Sequence, residues 1–308
     1  MSAVPSAPAR PRRGRRRSLP QVLLVPAVVL LLVGTGYPIV WQLITSFREF
    51  GMAQQFGQPA PFVGLANYVA IFQDSALWGV VLRSVAFAVI TAFLTLVVGA
   101  LVALLMRATW SWVRITLQVS LLLAWAMPVV AAMTVWIWLF DRRRGVVNWV
   151  LEGVGLTQFH RFDWLAEPMT FFMVASIVVI WMSVPFVALS VYAGLTQVST
   201  EVIEASQLDG ASGAQRFRYI LLPMIRPVVA IVLLLQLVWD LRVFTQIRLL
   251  QDAGSAAGRF DLVGTAIHKL GTGSGDFGMA AALSVFVLLI TVALSAHYVR
   301  MLLKEDAS

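Results

Sequence analysis

Apolar residues fill six stretches of the chain, approximately 22–45, 78–106, 113–140, 169–193, 225–241 and 279–303, with polar segments between them. A helix needs roughly 20 mostly apolar residues to cross a hydrocarbon core about 30 Å thick. Inside that core every backbone N–H and C=O must find its partner within the segment, so a helix is predicted for each stretch. The fifth is the least uniform, because Trp239-Asp240-Leu241-Arg242 interrupts its apolar run, and its end is open by several residues. The pattern predicts an all-α fold, a polytopic membrane protein with six transmembrane helices.

Composition strengthens this picture. Of 308 residues, 59% are hydrophobic and 12% charged, against about 25% charged in a soluble domain. The net charge of +8 would suit a nucleic-acid partner were it spread over a surface, but Arg10, Arg12, Arg13, Arg15, Arg16 and Arg17 crowd one short run ahead of the first span. Such a run is a juxtamembrane flank that sets orientation and meets anionic headgroups. It reads as a disordered cytoplasmic tail over 1–18, followed by a single membrane domain over 19–308, with no nucleic acid implied. A cleaved signal peptide, or the twin-arginine signal that Arg16-Arg17-Ser18-Leu19 loosely resembles, has an apolar core of about 7–15 residues. Here the apolar stretch runs from Val22 to Leu43 and further spans follow it.

With the arginine-rich end in the cytoplasm, both termini lie inside and the loops alternate. Arg107, Arg114, Arg216, Arg218, Arg226, Arg300 and Lys304 then fall on the inner side, while Arg142, Arg143, Arg144 and Arg161 share one outer loop. The positive-inside preference is real but modest.

The inner loop over 194–224 is too polar to cross and is not built as a linker. Ser199 or Thr200 can cap a short helix carrying Val202, Ile203, Ala205 and Leu208 at helical spacing. Asp209-Gly210 ends it, since glycine accepts the left-handed conformation of a tight helix ending. A second short helix over about 212–222 stops before Pro223 and the fifth span. A cytoplasmic helix with an apolar stripe and acidic residues fits either a groove on a partner protein or the lipid surface.

The residues here resemble a known motif. Glu204-Ala205-Ser206, then Gly210, then Ile220 and Leu222-Pro223, are similar to the EAA loop of binding-protein-dependent ABC importer permeases, with Ser206 where the family usually has a second alanine. Further segments are similar to carbohydrate-uptake permeases of the type of the larger maltose permease subunit: Tyr37-Pro38, Ser46-Phe47, Phe62 to Tyr68, and Gly278 to Ser284. Arg83-Ser84 and Gln251-Asp252-Ala253-Gly254 depart from that pattern. The resemblance implies a type I importer permease in a bacterial plasma membrane, coupled through this loop to an ATPase. Glu204, Ala205, Asp209, Gly210, Ile220, Leu222 and Pro223 are the coupling residues it implies. It also implies the partners: a second, homologous permease subunit in a heterodimer, two ATP-binding-cassette subunits, an extracellular solute-binding protein and a sugar or oligosaccharide. ATP and magnesium are expected on the ATPase subunits and no cofactor in this chain, which contains no Gly-x-x-x-x-Gly-Lys-Ser/Thr phosphate loop.

Polar and aromatic groups inside spans are candidates for the sugar path, because ionisable groups in a membrane are costly and mark cavities or pairs. Gln236, Asp240 and Phe244 are predicted on one helical face, Trp239, Arg242 and Gln246 on the neighbouring one. Trp181 joins these candidates, although most tryptophans sit near span ends as interfacial belts. Pro26, Pro38, Pro128 and Pro185 are expected to kink spans for packing or gating. An ion-coupled secondary transporter is the rival reading, with Asp240 as its only eligible deep carboxylate. A membrane enzyme is the third; neither the scattered His160, His268 and His297 nor the outer-loop acids show catalytic spacing.

Overall fold

The computed structural model describes residues 18–254 and 260–305. In chain order the principal elements are α1 (Leu23–Ser46), α2 (Ala66–Gln73), α3 (Ser75–Ala108), α4 (Ser111–Trp125), α5 (Val129–Leu139), α6 (Val146–Gly153), α7 (Pro168–Thr196), α8 (Thr200–Leu208), α9 (Gly213–Leu241), α10 (Thr245–Ala253), α11 (Val263–His268) and α12 (Phe277–Glu305). Among the described residues α1, α3, α7, α9 and α12 are long and apolar enough to cross a membrane, and α4 with α5 makes a sixth crossing that is broken. The predicted basic tail lies outside the described residues except for Ser18, where helical geometry already begins.

Two predicted spans take a different form. The stretch 113–140 is not one helix: α4 and α5 meet at 98°. Pro128 has no N–H to continue the ladder, and it sits in extended geometry with φ −57° and ψ 134°. Ala126 and Met127 close α4 by donating to Leu122 and Ala124 carbonyls. The fifth span begins at Gly213, not near 225, because Pro223 does not end the preceding helix. A wide π-turn over Phe217–Leu221 lets the Leu222 N–H reach the Phe217 carbonyl, and the helix continues through Pro223. The same device appears in α1, where a π-turn over Leu32–Gly36 precedes Pro38 by the same two residues. A wider turn relieves the clash of the proline ring with the carbonyl four residues back.

The bundle centres on α3 and α7, with α9 packed against both and α12 against α1. Gly99 sets the α3–α7 approach: a Cβ there would stand 2.6 Å from Val187 Cγ1 and 3.2 Å from the Ala188 nitrogen. Hydroxyls buried in this apolar setting bond back to their own helix, as Ser84 does to the Val80 carbonyl at 2.8 Å. Ser84 Oγ also accepts from the Val263 N–H at 2.8 Å, tying α11 to α3. Neighbouring Arg83 reaches the Asp261 carbonyl at 3.4 Å.

Three sequence segments far apart in the chain converge at the end of α1. Asn67 donates to the carbonyls of Ser46 and Arg48, and Tyr68 shares a 2.7 Å hydrogen bond with Ser46. The Gly278 N–H donates to the Phe50 carbonyl, and a Cβ on Gly278 would lie 2.5 Å from the Arg48 oxygen. The start of α12 is thereby pinned to the loop after α1.

Gly99→Leu is expected to destabilise the protein by about 1–3 kcal/mol through overpacking against Val187. The check is the unfolding midpoint in detergent. Val187→Ala in the same chain is expected to recover part of the loss, and its failure to do so would place the strain elsewhere.

Candidate functional site

Two regions gather the sequence-selected residues, one at each end of α9. At its start, α7 runs to Thr196, a short turn follows, and α8 lies across the end of the bundle. Ser199 occupies the N-cap position, yet no side chain caps the helix. The predicted apolar stripe divides. Ile203 packs among Leu195, Val198, Leu221 and Ile225, and Ser206 is buried beside it with its hydroxyl on the Ile203 carbonyl at 2.6 Å. Val202, Ala205 and Leu208 stay exposed, Leu208 at 90%, together with Glu204 and Asp209. The face turned away from the bundle is thus acidic and apolar together. Ser206, the one departure from the motif, is on the opposite face.

The end of α8 is a Schellman motif. Gly210 has φ +76°; its N–H donates to the Gln207 carbonyl, and the Ala211 N–H to that of Ser206, both at 3.0 Å. A Cβ on Gly210 would meet nothing within 4 Å, so its backbone conformation, not space, requires glycine. Ser212 and Gln215 then form a reciprocal capping box that starts α9. Ile220 and Leu222 are half-buried at the root of α9 and Pro223 is exposed on it. The residues expected from the motif to couple divide accordingly: Glu204, Ala205, Asp209 and Gly210 form a surface, and Ile220, Leu222 and Pro223 the joint behind it.

At the other end of α9, Gln236 and Asp240 are 1% and 3% exposed. Asp240 accepts 2.8 Å hydrogen bonds from Gln236 Nε2 and Thr91 Oγ1, which links α9 to the middle of α3. The helix stops at Leu241. Phe244, expected on the same face as Asp240, instead N-caps α10 and sets its ring 5.2 Å from that of His268, because the break rotates the chain out of register. Trp239, Asp240, Arg242 and Gln246 line a cleft of about 410 Å³ with Trp125, Met182 and Ser183. That volume is within the roughly 300–1,000 Å³ of small-molecule sites. Phe186 braces both indoles, with ring centroids 6.1 Å from Trp125 and 5.1 Å from Trp239. Trp181 is not among the lining residues: its ring packs edge-on at 5.6 Å against Trp136.

Sequence reasoning selected the α9 wall of this cleft and missed the wall from α4 and α7. Pro128 was the available signal, since the break it makes is what turns Trp125 and Met127 inward. The cleft offers indole faces for the C–H surfaces of a polyol, and a hydroxyl, guanidinium and amide for its hydroxyls.

Comparison with known proteins places these features in context. Residues 95–300 match the family model described as binding-protein-dependent transport system inner membrane component. The chain is 36% identical, over 93% of its length and 87% of the relative's, to the diacetylchitobiose uptake system permease protein DasB of Streptomyces coelicolor. It is 31% identical to the sulfoquinovosyl glycerol transport system permease protein SmoG of Agrobacterium fabrum, over 94% of this chain and 92% of that one. It is 27% identical to the trehalose/maltose transport system permease protein MalF of Thermococcus litoralis, over 93% and 94%. In fold it is similar to a chain of a bacterial alginate ABC transporter crystallised with an alginate-bound periplasmic protein, with a TM-score of 0.76, 20% identity, and coverage of 93% and 94%.

Thr91→Val leaves a buried carboxyl oxygen without its donor and is expected to cost about 1–3 kcal/mol of unfolding stability. On an Asp240→Leu background the same change is expected to cost clearly less. Equal costs on both backgrounds, measured as a double-mutant cycle, would show that this bond does not tie α3 to α9.

Proposed function

The chain belongs to the family of binding-protein-dependent transport system inner membrane components, and from that premise we propose how its surfaces divide the work of import. It is a multi-pass inner-membrane permease subunit of an ABC importer for sugars or oligosaccharides. Ion-coupled secondary transport finds no support among its relatives, and Asp240, the carboxyl that reading needs, is engaged by Thr91 and Gln236.

The exposed face of α8 docks on an ATP-hydrolysing partner in the cytoplasm. The observation that carries this reading is the Schellman ending at Gly210: it holds Glu204, Ala205 and Asp209 on one exposed face while Ile203 and Ser206 anchor the other. Because α8 runs through a two-cap turn directly into α9, a push on it is delivered to the helix that carries Trp239, Asp240 and Arg242. Rigid-body rotation of α9 against α3 and α7 then opens the cleft to one side of the membrane or the other. ATP and magnesium belong to two ATPase subunits. This chain supplies half of the pathway, a homologous permease subunit the rest, and an external solute-binding protein delivers the sugar.

The cleft between α4, α7 and α9 holds the sugar in transit. Trp125 and Trp239 stack on its rings while Ser183, Arg242 and Gln246 take its hydroxyls, and Asp240 keeps the α9 wall fixed on α3. The relatives' names, for diacetylchitobiose, sulfoquinovosyl glycerol and trehalose/maltose, support a cargo of about disaccharide size.

Purification of the chain from its membrane in mild detergent is expected to recover an ATPase and a second permease with it; recovery of this chain alone, repeatedly, would count against the assembly. Glu204→Lys and Gly210→Pro are expected to insert normally, lose ATPase co-purification and abolish uptake. Gly210→Asn, which tolerates the left-handed conformation, is expected to retain it. Trp239→Ala is expected to raise the sugar concentration for half-maximal uptake by about tenfold, the scale of one lost aromatic anchor, with ATPase docking unchanged. Docking and uptake intact in the Glu204 and Gly210 variants would remove the coupling assignment.

A further inference from the structure

A second cleft, of about 410 Å³, lies behind α8 on the side turned toward the bundle. The end of α3 gives it Leu104, Arg107 and Ala108, α8 gives it Ile203, and the start of α9 gives it Arg216 and Ile220. Its walls are otherwise apolar, and its charges are two guanidinium groups of like sign. Arg107 Nη1 and Arg216 Nε are both shielded from solvent, and among the described residues both lack a hydrogen-bond partner. Both side chains are half-buried, yet each keeps one shielded charged donor unmet, and a single anionic acceptor in the cleft would serve both.

Among the described residues no carboxylate lines the cleft. The acids of α8, Glu201, Glu204 and Asp209, are exposed, and α8 stands between the cleft and anything docked on its exposed face. The one hydroxyl at hand, Ser206, lies on the Ile203 carbonyl. The surroundings match headgroup depth. Trp110 and Trp112, just past the end of α3, are 76% and 66% exposed, as belt tryptophans are at a membrane interface; two residues on, Arg114 is half-buried, and Arg218 at the root of α9 is exposed. Basic clefts between helices at this level accept lipid phosphates.

We propose that Arg107 and Arg216 hold the phosphate of an anionic phospholipid, seated between the end of α3 and the root of α9 beneath the coupling helix. The phosphate oxygens accept from Arg107 Nη1 and Arg216 Nε, and the glycerol and first acyl carbons lie on Leu104, Ala108 and Ile220. A free phosphate would fill the charged end and leave the apolar walls bare. Lipid bound here braces α8 from behind, so that docking of the ATPase and the composition of the leaflet are linked. Only the assignment to the inner leaflet rests on the cytoplasmic placement of α8 proposed above.

The test uses the full complex in nanodiscs of phosphatidylcholine, with or without phosphatidylglycerol, and reads retained lipid by native mass spectrometry after delipidation. The wild type is expected to keep phosphatidylglycerol selectively; Arg107→Gln with Arg216→Gln is expected to lose that retention by about tenfold or more, and Arg114→Gln to keep it. Hydrogen exchange at residues 105–108 and 213–217 in the wild type, slowed by phosphatidylglycerol and not by phosphatidylcholine, gives a reading that needs no variant. Equal retention in the double variant, or equal exchange in both lipids, overturns the proposal. Equal protection by inorganic phosphate in lipid-free detergent overturns it in favour of a free anion. ATPase docking is recorded in the same samples: its loss in the wild type in every lipid would count against the importer reading and leave the lipid result standing.

Discussion

Lipid offers the backbone no hydrogen bonds, and nearly every structural choice in this chain follows from that. Where the helical ladder is intact the protein crosses the membrane; where it is interrupted, the loose N–H and C=O groups must face protein or a cavity. The interruptions are not scattered. The break at Ala126–Pro128 and the break at Arg242–Phe244 both border the cleft that holds Trp125, Ser183, Trp239 and Asp240. The site is where it is because irregular backbone can exist at membrane depth only around such a space.

Pro128 is handled in one way and Pro38 and Pro223 in another, with different consequences. At Pro128 the helix gives way and turns by 98°. At Pro38 and Pro223 a π-turn two residues ahead widens the helix enough to pass the ring, and the axis continues. For α9 this continuity matters most. It makes one element of the joint behind α8 and the α9 wall of the cleft, so that in the proposed mechanism a displacement at Ile220 and Leu222 is passed along one helix to Trp239. The Asp240–Thr91 bond then sets where along α3 that displacement is resisted.

The short matches at Ser46-Phe47, Phe62 to Tyr68 and Gly278 to Ser284 acquire a common cause in space. Ser46, Asn67, Tyr68 and Gly278 meet at the end of α1, where two side chains and one missing Cβ fasten three segments. Ser206 is explained in the same way: the motif varies on the face of α8 that packs, where a small polar residue can satisfy itself on the Ile203 carbonyl, and not on the face that is exposed.

The sequence by itself determined that the chain lives in lipid and crosses it with helices, because hydrocarbon leaves a run of apolar residues one way to pair its backbone. It determined the short helix α8 and its glycine ending as well, since a Schellman motif is a local event whose signals lie within a few residues of one another. It also marked Gln236, Trp239, Asp240 and Arg242, because polar groups in an apolar span are conspicuous. Tertiary structure alone decided which of these face the cleft and which are buried as ties: that Asp240 spends its oxygens on Thr91 and Gln236, that Trp181 packs on Trp136, and that Trp125 and Ser183 complete the site. It decided, too, that Pro128 breaks a span while Pro223 does not. Such outcomes depend on which neighbour stands across from a residue, and in a bundle of long helices that neighbour is often more than a hundred residues away in the chain.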